Sequence, residues 1–281
     1  MAGKISVLTD EFGEGDFEKI AAWLASEGFE HVELRGVWIK NVFNLDEFDM
    51  QELKSILKEH GLSVSSISGG LFKVPWWGPA DEPERMKDGT TVREYQLKMA
   101  DNCIKAAKAL GAQFIRAFGF TKMAIMADEA WDDWIAGIKE ITRRAADAGK
   151  TIIIENEHGC MLSSFASIKK AFDEVHAPNC KLLFDPGNLL AGGERVTDEV
   201  FDYVKDITAY MHVKDAQITS KSPWKTQWCI IGDGDVGWLD IVKRFVGHGY
   251  DSYWSVETHM GKKGAWDNTV RDLKALKILL A

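Results

Sequence analysis

The sequence has few cysteines, and their spacing shows no motif. Cys103, Cys160, Cys180 and Cys229 are dispersed over 281 residues, and no C-x-x-C pair occurs. Closely spaced cysteine pairs are typical of thiolate metal clusters, and a high density of cysteines is typical of small disulfide-bonded proteins. Neither class is therefore expected, and we predict four reduced thiols in or near the core.

Long apolar runs and blocks of basic residues are also lacking. No stretch approaches the ~20 apolar residues of a membrane span. The N-terminal segment MAGKISVLTDEFGEGD carries acidic residues where a secretory signal needs an apolar core. The net charge of -9 opposes binding to a nucleic-acid backbone, and no Lys/Arg stripe is present to follow one. We therefore expect a cytoplasmic protein that binds neither membranes nor nucleic acids.

The sequence does contain eight short apolar segments, at residues 5–10, 31–36, 64–70, 114–119, 151–157, 181–187, 210–216 and 253–258. Stretches of helical periodicity separate them, and many of these end on a glycine. Eight alternating units of this kind predict an α/β fold, a single (β/α)8 TIM barrel spanning residues 1–281. An open doubly wound sheet is the alternative.

Two inserts, residues 72–90 and 218–237, follow predicted strands and are expected to be irregular loops over the mouth of the barrel. They contain several of the eleven tryptophans, among them Trp76, Trp77 and Trp228. Aromatic faces at a barrel mouth stack on sugar rings or exclude water from a site. We predict substrate binding by Trp76 and Trp228. A dimer interface, and hence a homo-oligomer, is the alternative use of the same loops.

Acidic and imidazole side chains fall at the C-terminal ends of four successive late strands, in IIIENEHG, LLFDPGN, YMHVKDA and WSVETHM. That end of a (β/α)8 barrel carries the chemistry. Glu155, Asp185, His212 and Glu257 would point toward a common axis, where unpaired burial of charge is costly. Each residue alone is equally compatible with a solvated charge or a structural ion pair, but the four together predict a divalent-metal site.

The expected ligand set has three carboxylates and one imidazole. Oxygen-rich ligation with a single nitrogen favours Mn²⁺, Mg²⁺ or Co²⁺, and the ligand types are also compatible with Zn²⁺ and Fe²⁺. We predict one divalent ion and take Mn²⁺ as the first choice.

The order of the segments HVELRG, FIRAFGF, IIIENEHG, LLFDPGN, YMHVKDA, IIGDGDVGW and WSVETHM resembles the sugar phosphate isomerase/epimerase superfamily of xylose isomerase-like TIM barrels. That superfamily includes inosose dehydratases and isomerases, ketose 3-epimerases, hydroxypyruvate isomerases and the endonuclease IV group. The resemblance runs essentially from end to end. It implies that Glu155, Asp185, His212 and Glu257 are metal ligands, and that the two glutamates also move protons.

The endonuclease branch builds a three-metal zinc cluster from additional histidines, which this chain lacks. The third and fourth strands read VSSISGG and FIRAFGF, Asn188 stands at one histidine position, and Gln227-Trp228-Cys229 precede the glycine loop. The missing ligands and the acidic charge therefore predict one metal and a small, sugar-like substrate.

Three residues beside the expected ligands are predicted to bind substrate. His158 could bond a substrate oxygen or relay a proton, with a surface role as the alternative. For Asn188, the resemblance suggests contact with a substrate hydroxyl. Lys214 shares the inward face of its strand with His212 and could stabilise an enolate, with an ordinary ion pair as the alternative.

Four further features have structural roles as their default interpretation. Glu33, Arg35 and Arg116 are expected to form ion pairs inside the barrel, with substrate contact as the alternative. The GDGDVGW segment looks like a phosphate-binding loop, but its aspartates would repel phosphate and no Lys-Ser/Thr follows. We expect it to be a mouth loop that packs near the metal.

Together these patterns predict a metal-dependent isomerase or epimerase of a small sugar or keto-polyol. Adjacent carbonyl and hydroxyl oxygens would chelate the metal, with Glu155 and Glu257 as acid and base on a metal-bound enediolate. Loss of a β-hydroxyl from the same intermediate would instead give a dehydratase of the inosose dehydratase type. A non-catalytic sugar-binding barrel is the alternative outside the enzymes.

Overall fold

Each of the eight apolar segments overlaps a β-strand of one large sheet. The structure is a computed structural model that describes residues 3–13, 15–76, 90–123 and 127–281. Its strands in chain order are β1 (Lys4–Val7), β2 (His31–Leu34), β3 (Gly36–Val37), β4 (Lys40–Asn41), β5 (Ser63–Leu71), β6 (Phe114–Ala117), β7 (Thr151–Glu155), β8 (Cys180–Phe184), β9 (Thr208–Val213), β10 (Asp215–Lys221), β11 (Trp224–Cys229) and β12 (Tyr253–Val256).

The large sheet is a parallel barrel. Its strand order is β1-β12-β9-β8-β7-β6-β5-β2, and every neighbouring pair runs parallel. The two end strands meet where Leu8, directly after β1, forms a parallel bridge with Glu33 in β2. This nearly closed ring of strands confirms the predicted (β/α)8 barrel, and the doubly wound alternative is wrong.

The helices are α1 (Phe17–Ser26), α2 (Glu47–Glu59), α3 (Val92–Leu110), α4 (Asp128–Asp147), α5 (Phe165–Val175), α6 (Pro186–Ala191), α7 (Asp198–Val204), α8 (Trp238–Gly247) and α9 (Ala265–Leu279). Asp46, Thr91 and Ser164 begin α2, α3 and α5 with capping boxes, in which two orphan backbone donors are satisfied reciprocally. None of the described helices combines the length and apolar character that a bilayer crossing requires.

The apolar character of the strands follows from their burial on both faces. In β7, the residues from Ile152 to Glu155 are fully buried, and the strand pairs with β6 on one side and β8 on the other. Side chains that point outward pack under the helices, and those that point inward fill the barrel. A continuous run such as Ile-Ile-Ile is therefore what this position requires.

The inward side chains form layers of different chemistry. Ile153, Leu183 and Tyr210 make a small apolar cluster inside the barrel, separate from the main core under the helices. Two residues further along β7 and β9, the inward positions are Glu155 and His212. The apolar layer therefore supports a polar layer at the C-terminal ends of the strands.

The insert at residues 218–237 differs from the irregular loop that we expected. Strands β10 and β11 pair antiparallel from Asp215 opposite Cys229 to Lys221 opposite Trp224, with a bulge near Ile218. In both strands, most positions alternate between exposed and half-buried. Because no face is fully buried along the ribbon, the alternation of polar and apolar residues is too weak to predict strands. The second insert, residues 72–90, is described only in part, and Trp77 lies outside the described residues.

The GDGDVGW loop closes around a single carboxylate at the base of this ribbon. Asp215 Oδ2 accepts hydrogen bonds from the backbone nitrogens of Gly232 and Gly234, and its Oδ1 accepts from those of Ala216 and Val236. Glycine is required at position 234, since a Cβ there would overlap Asp215 Oδ1 and lie 2.8 Å from the Ala216 nitrogen. The loop thus binds a carboxylate of its own chain with its backbone.

We predict that Gly234→Ala destabilises the protein by about 1–3 kcal/mol, because the added methyl overpacks a site closed by backbone atoms. Gly247→Ala is the matched control. A Cβ at Gly247, the last residue of α8, meets nothing within 4 Å, so this change should be neutral or stabilise by about 0.4–1 kcal/mol. Urea unfolding measures both; equal stabilities of the two variants would contradict this account.

Candidate metal centre

The four residues predicted to bind a metal come together at the C-terminal mouth of the barrel. Glu155 ends β7, Asp185 follows β8, His212 lies in β9 and Glu257 follows β12. All four are buried, and each offers a ligand atom within 4.8 Å of the others. Among the described residues, this is a group that could hold a metal ion, composed of the donor types expected from the sequence.

Asp185 owes its orientation to the short helix α6. As the N-cap of that helix, its Oδ1 accepts from the backbone nitrogen of Asn188 at 2.8 Å. Asn156 fixes the backbone on the other side, with its Oδ1 accepting from the Asp185 nitrogen and its Nδ2 donating to the Asp185 oxygen, both at 2.8 Å. The role of Asn156 was not predicted from the sequence, where the residue is marked only by its position directly after Glu155.

His212 presents one ring nitrogen to the three carboxylates. Its Nε2 lies 3.0 Å from Glu33, while its Nδ1 has no hydrogen-bond partner although the ring is fully buried. The Nδ1 atom faces Glu257 Oε2 at 3.3 Å, Glu155 Oε1 at 3.6 Å and Asp185 Oδ2 at 4.0 Å. A buried ring nitrogen without a hydrogen-bond partner, surrounded by carboxylate oxygens, fits a cation at their centre, because the cation would satisfy all four groups.

Glu33 fixes that ring orientation and is itself completely buried. The hydroxyls of Ser68, Tyr210 and Ser255 donate to its carboxylate at 2.5, 3.0 and 2.7 Å. Burial alone would raise its pKa, but the charge and hydrogen bond of His212, with further help from Arg116, lower the pKa to about 2. An ionised Glu33 that accepts from Nε2–H leaves Nδ1 free to bind a metal.

Two basic side chains lie among the carboxylates. Arg116 contacts Glu155 Oε2 at 2.5 Å, Glu257 Oε1 at 3.2 Å and Glu33 Oε1 at 3.5 Å. Lys214 Nζ lies 2.5 Å from Glu257 Oε2 and 2.9 Å from Asp185 Oδ2. Arg116 therefore forms the expected ion pair with Glu33, but it also joins the two candidate catalytic glutamates.

The buried charges of this cluster do not balance. Its four carboxylates, Glu33, Glu155, Asp185 and Glu257, face the two basic side chains Arg116 and Lys214, so two negative charges remain when His212 is in the neutral form that can bind a metal. Burial would lower the pKa of His212, but the carboxylates, first Glu33, raise it well above its usual value, so a bound metal would take the place of that proton. Burial, together with the neighbouring carboxylates, raises the pKa of Asp185 to about 6. A divalent cation matches the excess charge and would remove that repulsion.

The other predicted site residues lie at different distances from this cluster. Asn188 Nδ2 donates to Glu155 Oε1 and to Asp185 Oδ2, both at 3.0 Å, and its Oδ1 lies 3.1 Å from His158 Nδ1. Trp228, on β11, has its ring centroid 5.1 Å from Lys214 Nζ. Asn188 therefore bonds two candidate ligands directly, and Trp228 lies beside Lys214, which contacts two of them.

Trp76 lies elsewhere, because its indole nitrogen donates to Asp133 on the outer helix α4 at 3.3 Å. Glu157 is a further residue of the mouth, and it bonds Lys73 at 2.6 Å and His158 at 2.8 Å. The hydrogen bond that His158 donates to Glu157 raises the pKa of His158. No pattern in the sequence pointed to Lys73, which lies in the described first part of the insert at residues 72–90.

Proteins of known sequence and structure resemble this chain over most of its length. An inosose dehydratase from Geobacillus thermodenitrificans is 22% identical over 262 residues, which cover 87% of this chain and 83% of the relative. One from Clostridium perfringens is 23% identical over 259 residues, covering 87% and 82%.

Solved structures share the fold at lower identity. The probable 3-DHS dehydratase AsbF from Bacillus anthracis, involved in petrobactin synthesis, has a TM-score of 0.77 at 18% identity and covers 98% of each chain. An L-ribulose 3-epimerase has a TM-score of 0.74 at 15% identity, covering 99% of this chain and 94% of its own.

Two further structures of this fold contain a metal. A xylose isomerase-like TIM barrel protein from Mycobacterium smegmatis is in complex with magnesium (TM-score 0.72, 15% identity, 99% and 97% coverage). An IOLI protein has a bound zinc atom (TM-score 0.74, 14% identity, 99% and 98% coverage). Residues 21–278 of the present chain match the family described as the xylose isomerase-like TIM barrel, and the chain therefore belongs to that family.

Proposed function

We propose that this protein is a divalent-metal-dependent isomerase or epimerase of a small sugar or keto-polyol, with Glu155 and Glu257 as its acid/base pair. The placement of these two glutamates supports the proposal. Each directs one carboxylate oxygen toward His212 Nδ1, at 3.6 and 3.3 Å, and the other oxygen toward Arg116. Two carboxylates that approach one centre can remove a proton and return one.

The candidate ligands of the metal are Glu155, Asp185, His212 and Glu257, and Mn²⁺ is the ion that we propose. Mg²⁺, Co²⁺, Zn²⁺ and Fe²⁺ accept the same donor types. When bound, such an ion stabilises negative charge on adjacent carbonyl and hydroxyl oxygens of the substrate, and so favours an enediolate.

Arg116 helps to lower the pKa of both candidate catalytic glutamates. Burial alone would raise the pKa of Glu155, but the charges of Arg116 and His212 together outweigh it and lower the pKa. For Glu257, burial is likewise outweighed, first by Lys214 and then by Arg116. Both glutamates are therefore ionised, and one of them can accept the C–H proton. A proton returned to the opposite face gives the epimer, and one returned to the neighbouring carbon gives the isomer.

Three residues around the glutamates would hold the substrate. Lys214 would stabilise charge on an enolate oxygen, and Asn188 would bond a hydroxyl beside Glu155. The face of Trp228 would cover the C–H surface of the sugar. Trp76 remains a weaker proposal, because its indole is already bonded to α4.

A dehydratase is the second candidate, and His158 is the observation that favours it. The raised pKa of this mouth histidine makes it a proton donor for a departing β-hydroxyl, and it lies 3.1 Å from Asn188. The inosose dehydratases among the relatives are consistent with this reaction. NMR of the Mn²⁺-loaded protein with ketoses, inososes and keto acids in deuterated water separates the two, since only elimination forms an enol-derived product with one oxygen fewer.

The metal site makes a direct prediction. The purified protein should carry about one divalent ion per chain, and Asp185→Asn or His212→Ala should remove it, since each deletes one of few ligands. Elemental analysis measures the content. In addition, EDTA should lower the melting temperature and Mn²⁺ should restore it, because an ion that binds only the folded state stabilises it.

Asp132→Asn, on the exposed face of α4, is the control for this test and should retain the metal. Unchanged metal content in both Asp185→Asn and His212→Ala would contradict the assignment of these residues as ligands.

The proton shuttle predicts an asymmetry between two variants. Glu155→Gln and Glu257→Gln keep an oxygen at the site but cannot accept a proton, so turnover should fall by on the order of 10² to 10⁴. In deuterated water, one variant should still exchange a substrate proton for deuterium without forming product. The other variant should exchange a proton of the product when the reaction starts from product. If both variants turn over normally while Lys214→Met is inactive, the lysine is the base and the shuttle is wrong.

Glu33 should act on metal affinity through His212. Glu33→Gln removes the negative charge that holds the Nε2–H, and we expect Mn²⁺ to bind about 10- to 100-fold more weakly, as for other partners of a ligand. Isothermal titration of the metal-free protein measures this. Ser255→Ala, which removes one hydrogen bond to Glu33 but none to His212, should have a smaller effect. Identical affinities in the wild type and Glu33→Gln would show that Glu33 does not orient the ring.

A further inference from the structure

Lys73 and Glu157 form an ion pair at the barrel mouth that the proposed chemistry does not use. Lys73 Nζ lies 2.6 Å from Glu157 Oε2, and Glu157 is only 5% exposed. Desolvating two such charges is costly, so a buried ion pair is by itself weak evidence for a role in stability. The role of this pair is better sought in the group that it holds.

The backbone turn that carries Lys73 is strained. Phe72, directly before it, is fully buried and has a left-handed conformation with φ of 64°. Its backbone nitrogen donates to Oε1 of the buried Gln96 in α3 at 2.7 Å. Gly137 in α4 leaves space for the Phe72 ring, since a Cβ there would lie 2.7 Å from its Cζ atom. Such a conformation persists only where surrounding contacts determine it, so α3 and α4 fix the position from which Lys73 reaches Glu157.

The two oxygens of Glu157 have different partners. Its Oε2 contacts Lys73, while its Oε1 lies 2.8 Å from His158 Nδ1. The backbone nitrogen of Gly159 also donates to Oε1, at 3.4 Å. The lysine therefore orients a carboxylate whose other oxygen faces the histidine.

Both neighbours of His158 Nδ1 are hydrogen-bond acceptors. One is the Glu157 carboxylate, and the other is Asn188 Oδ1 at 3.1 Å. The amide orientation of Asn188 follows from its Nδ2, which donates to Glu155 and Asp185, so its oxygen can only accept. Nδ1 therefore carries a hydrogen in the neutral ring as well as in the charged ring. Nε2 is then the nitrogen at which a proton is gained or lost.

The remainder of the His158 ring is open to the mouth. Its side chain is 41% exposed, and because Nδ1 is turned toward Glu157 and Asn188, this exposure falls on the part of the ring that includes Nε2. Within residues 3–13, 15–76, 90–123 and 127–281, no hydrogen bond to Nε2 is found. The ring centroid lies 6.1 Å from that of Trp228, a proposed substrate-binding residue. Nε2 is thus available to a substrate oxygen.

The charges around His158 favour its protonated form. The hydrogen bond to Glu157, with the charge of that carboxylate, raises the pKa of His158, although burial and the charge of Lys214 lower it. The hydrogen bond to Asn188 acts in the same direction as Glu157. Lys73 balances part of the charge of Glu157 and limits its effect.

We propose that Lys73 and Glu157 are positioning residues that hold the Nδ1–H of His158, so that this histidine transfers its proton through Nε2 to a departing hydroxyl of the substrate. In that elimination, a carboxylate takes the C–H proton, the electrons of the C–H bond form a C=C bond, and the hydroxyl leaves as water with the Nε2 proton. The inference rests on the dehydratase reaction of the proposed function. Glu157 acts only through His158.

The first test needs no turnover. NMR of ¹⁵N-histidine-labelled protein, loaded with diamagnetic Mg²⁺, gives the tautomer and the titration of His158, whose signals are assigned with His158→Gln. We expect the neutral ring to carry its hydrogen on Nδ1. Glu157→Gln should lower the pKa of His158, because it removes the negative charge beside Nδ1. Lys73→Met should raise this pKa or leave it unchanged, because it removes a positive charge.

Lys98→Met, on the exposed face of α3, is the matched control and should titrate as the wild type does. A neutral His158 with its hydrogen on Nε2 would overturn the inference, as would equal pKa values in the wild type and Glu157→Gln. A lower pKa in both Glu157→Gln and Lys73→Met would also overturn it, since loss of local structure explains that result.

The second test is a double-substitution cycle on the elimination of water from inososes by the Mn²⁺-loaded protein. We expect Glu157→Gln to lower kcat about 10- to 100-fold with KM little changed, a part of what a general acid contributes. In the wild type, kcat should fall as the pH rises through the pKa of His158, and Glu157→Gln should move that fall to lower pH. In a His158→Gln background, Glu157→Gln should change kcat by less than about twofold.

An unchanged pH profile in Glu157→Gln, or full additivity of the two substitutions, would overturn the inference. Absence of elimination by the metal-loaded wild type would instead contradict the dehydratase reaction itself. The NMR titration decides independently of turnover whether Lys73 and Glu157 position His158.

Discussion

An excess of buried negative charge at the barrel mouth is the constraint on which the rest of this site depends. Asp185 has a pKa raised to about 6 by burial and its acidic neighbours, while Arg116 and Lys214 offset only part of the charge. Such an arrangement is costly in a dry interior unless a further cation is present. The fold can hold this buried charge because eight strands surround the cluster and fix the position of each side chain in it.

Strand geometry explains how the cluster is assembled from distant parts of the chain. Inward side chains recur every second residue, so one layer of the barrel collects residues from β2, β6, β7, β9 and β12. Glu33 and Ser255 are 222 positions apart in the chain, yet they form a hydrogen bond of 2.7 Å. Glu155, His212 and the group that orients His212 therefore belong to the same layer, and Asp185 and Glu257 lie just beyond the ends of β8 and β12.

Sequence patterns were sufficient for the barrel and for the convergence of the four candidate ligands. Buried parallel strands leave a clear apolar signal, and a charged residue at the end of such a strand stands out. The roles of Glu33 and Asn156 could not be predicted, since partners across the barrel leave no local pattern. The ribbon of β10 and β11 was missed for a related reason, because its residues alternate only between exposed and half-buried positions beyond Ala216, and such strands leave a weak pattern in the sequence.

The backbone cradle of Asp215 has a consequence for how this mouth can change. Asp215 directly follows Lys214, and four main-chain amides hold its carboxylate, so the backbone beside the lysine is anchored at the base of the ribbon. Residues at the far end of the ribbon are thereby decoupled from the reacting groups. We therefore expect changes in the sequence and length of the far end of the ribbon to alter what covers the site while its base stays constant.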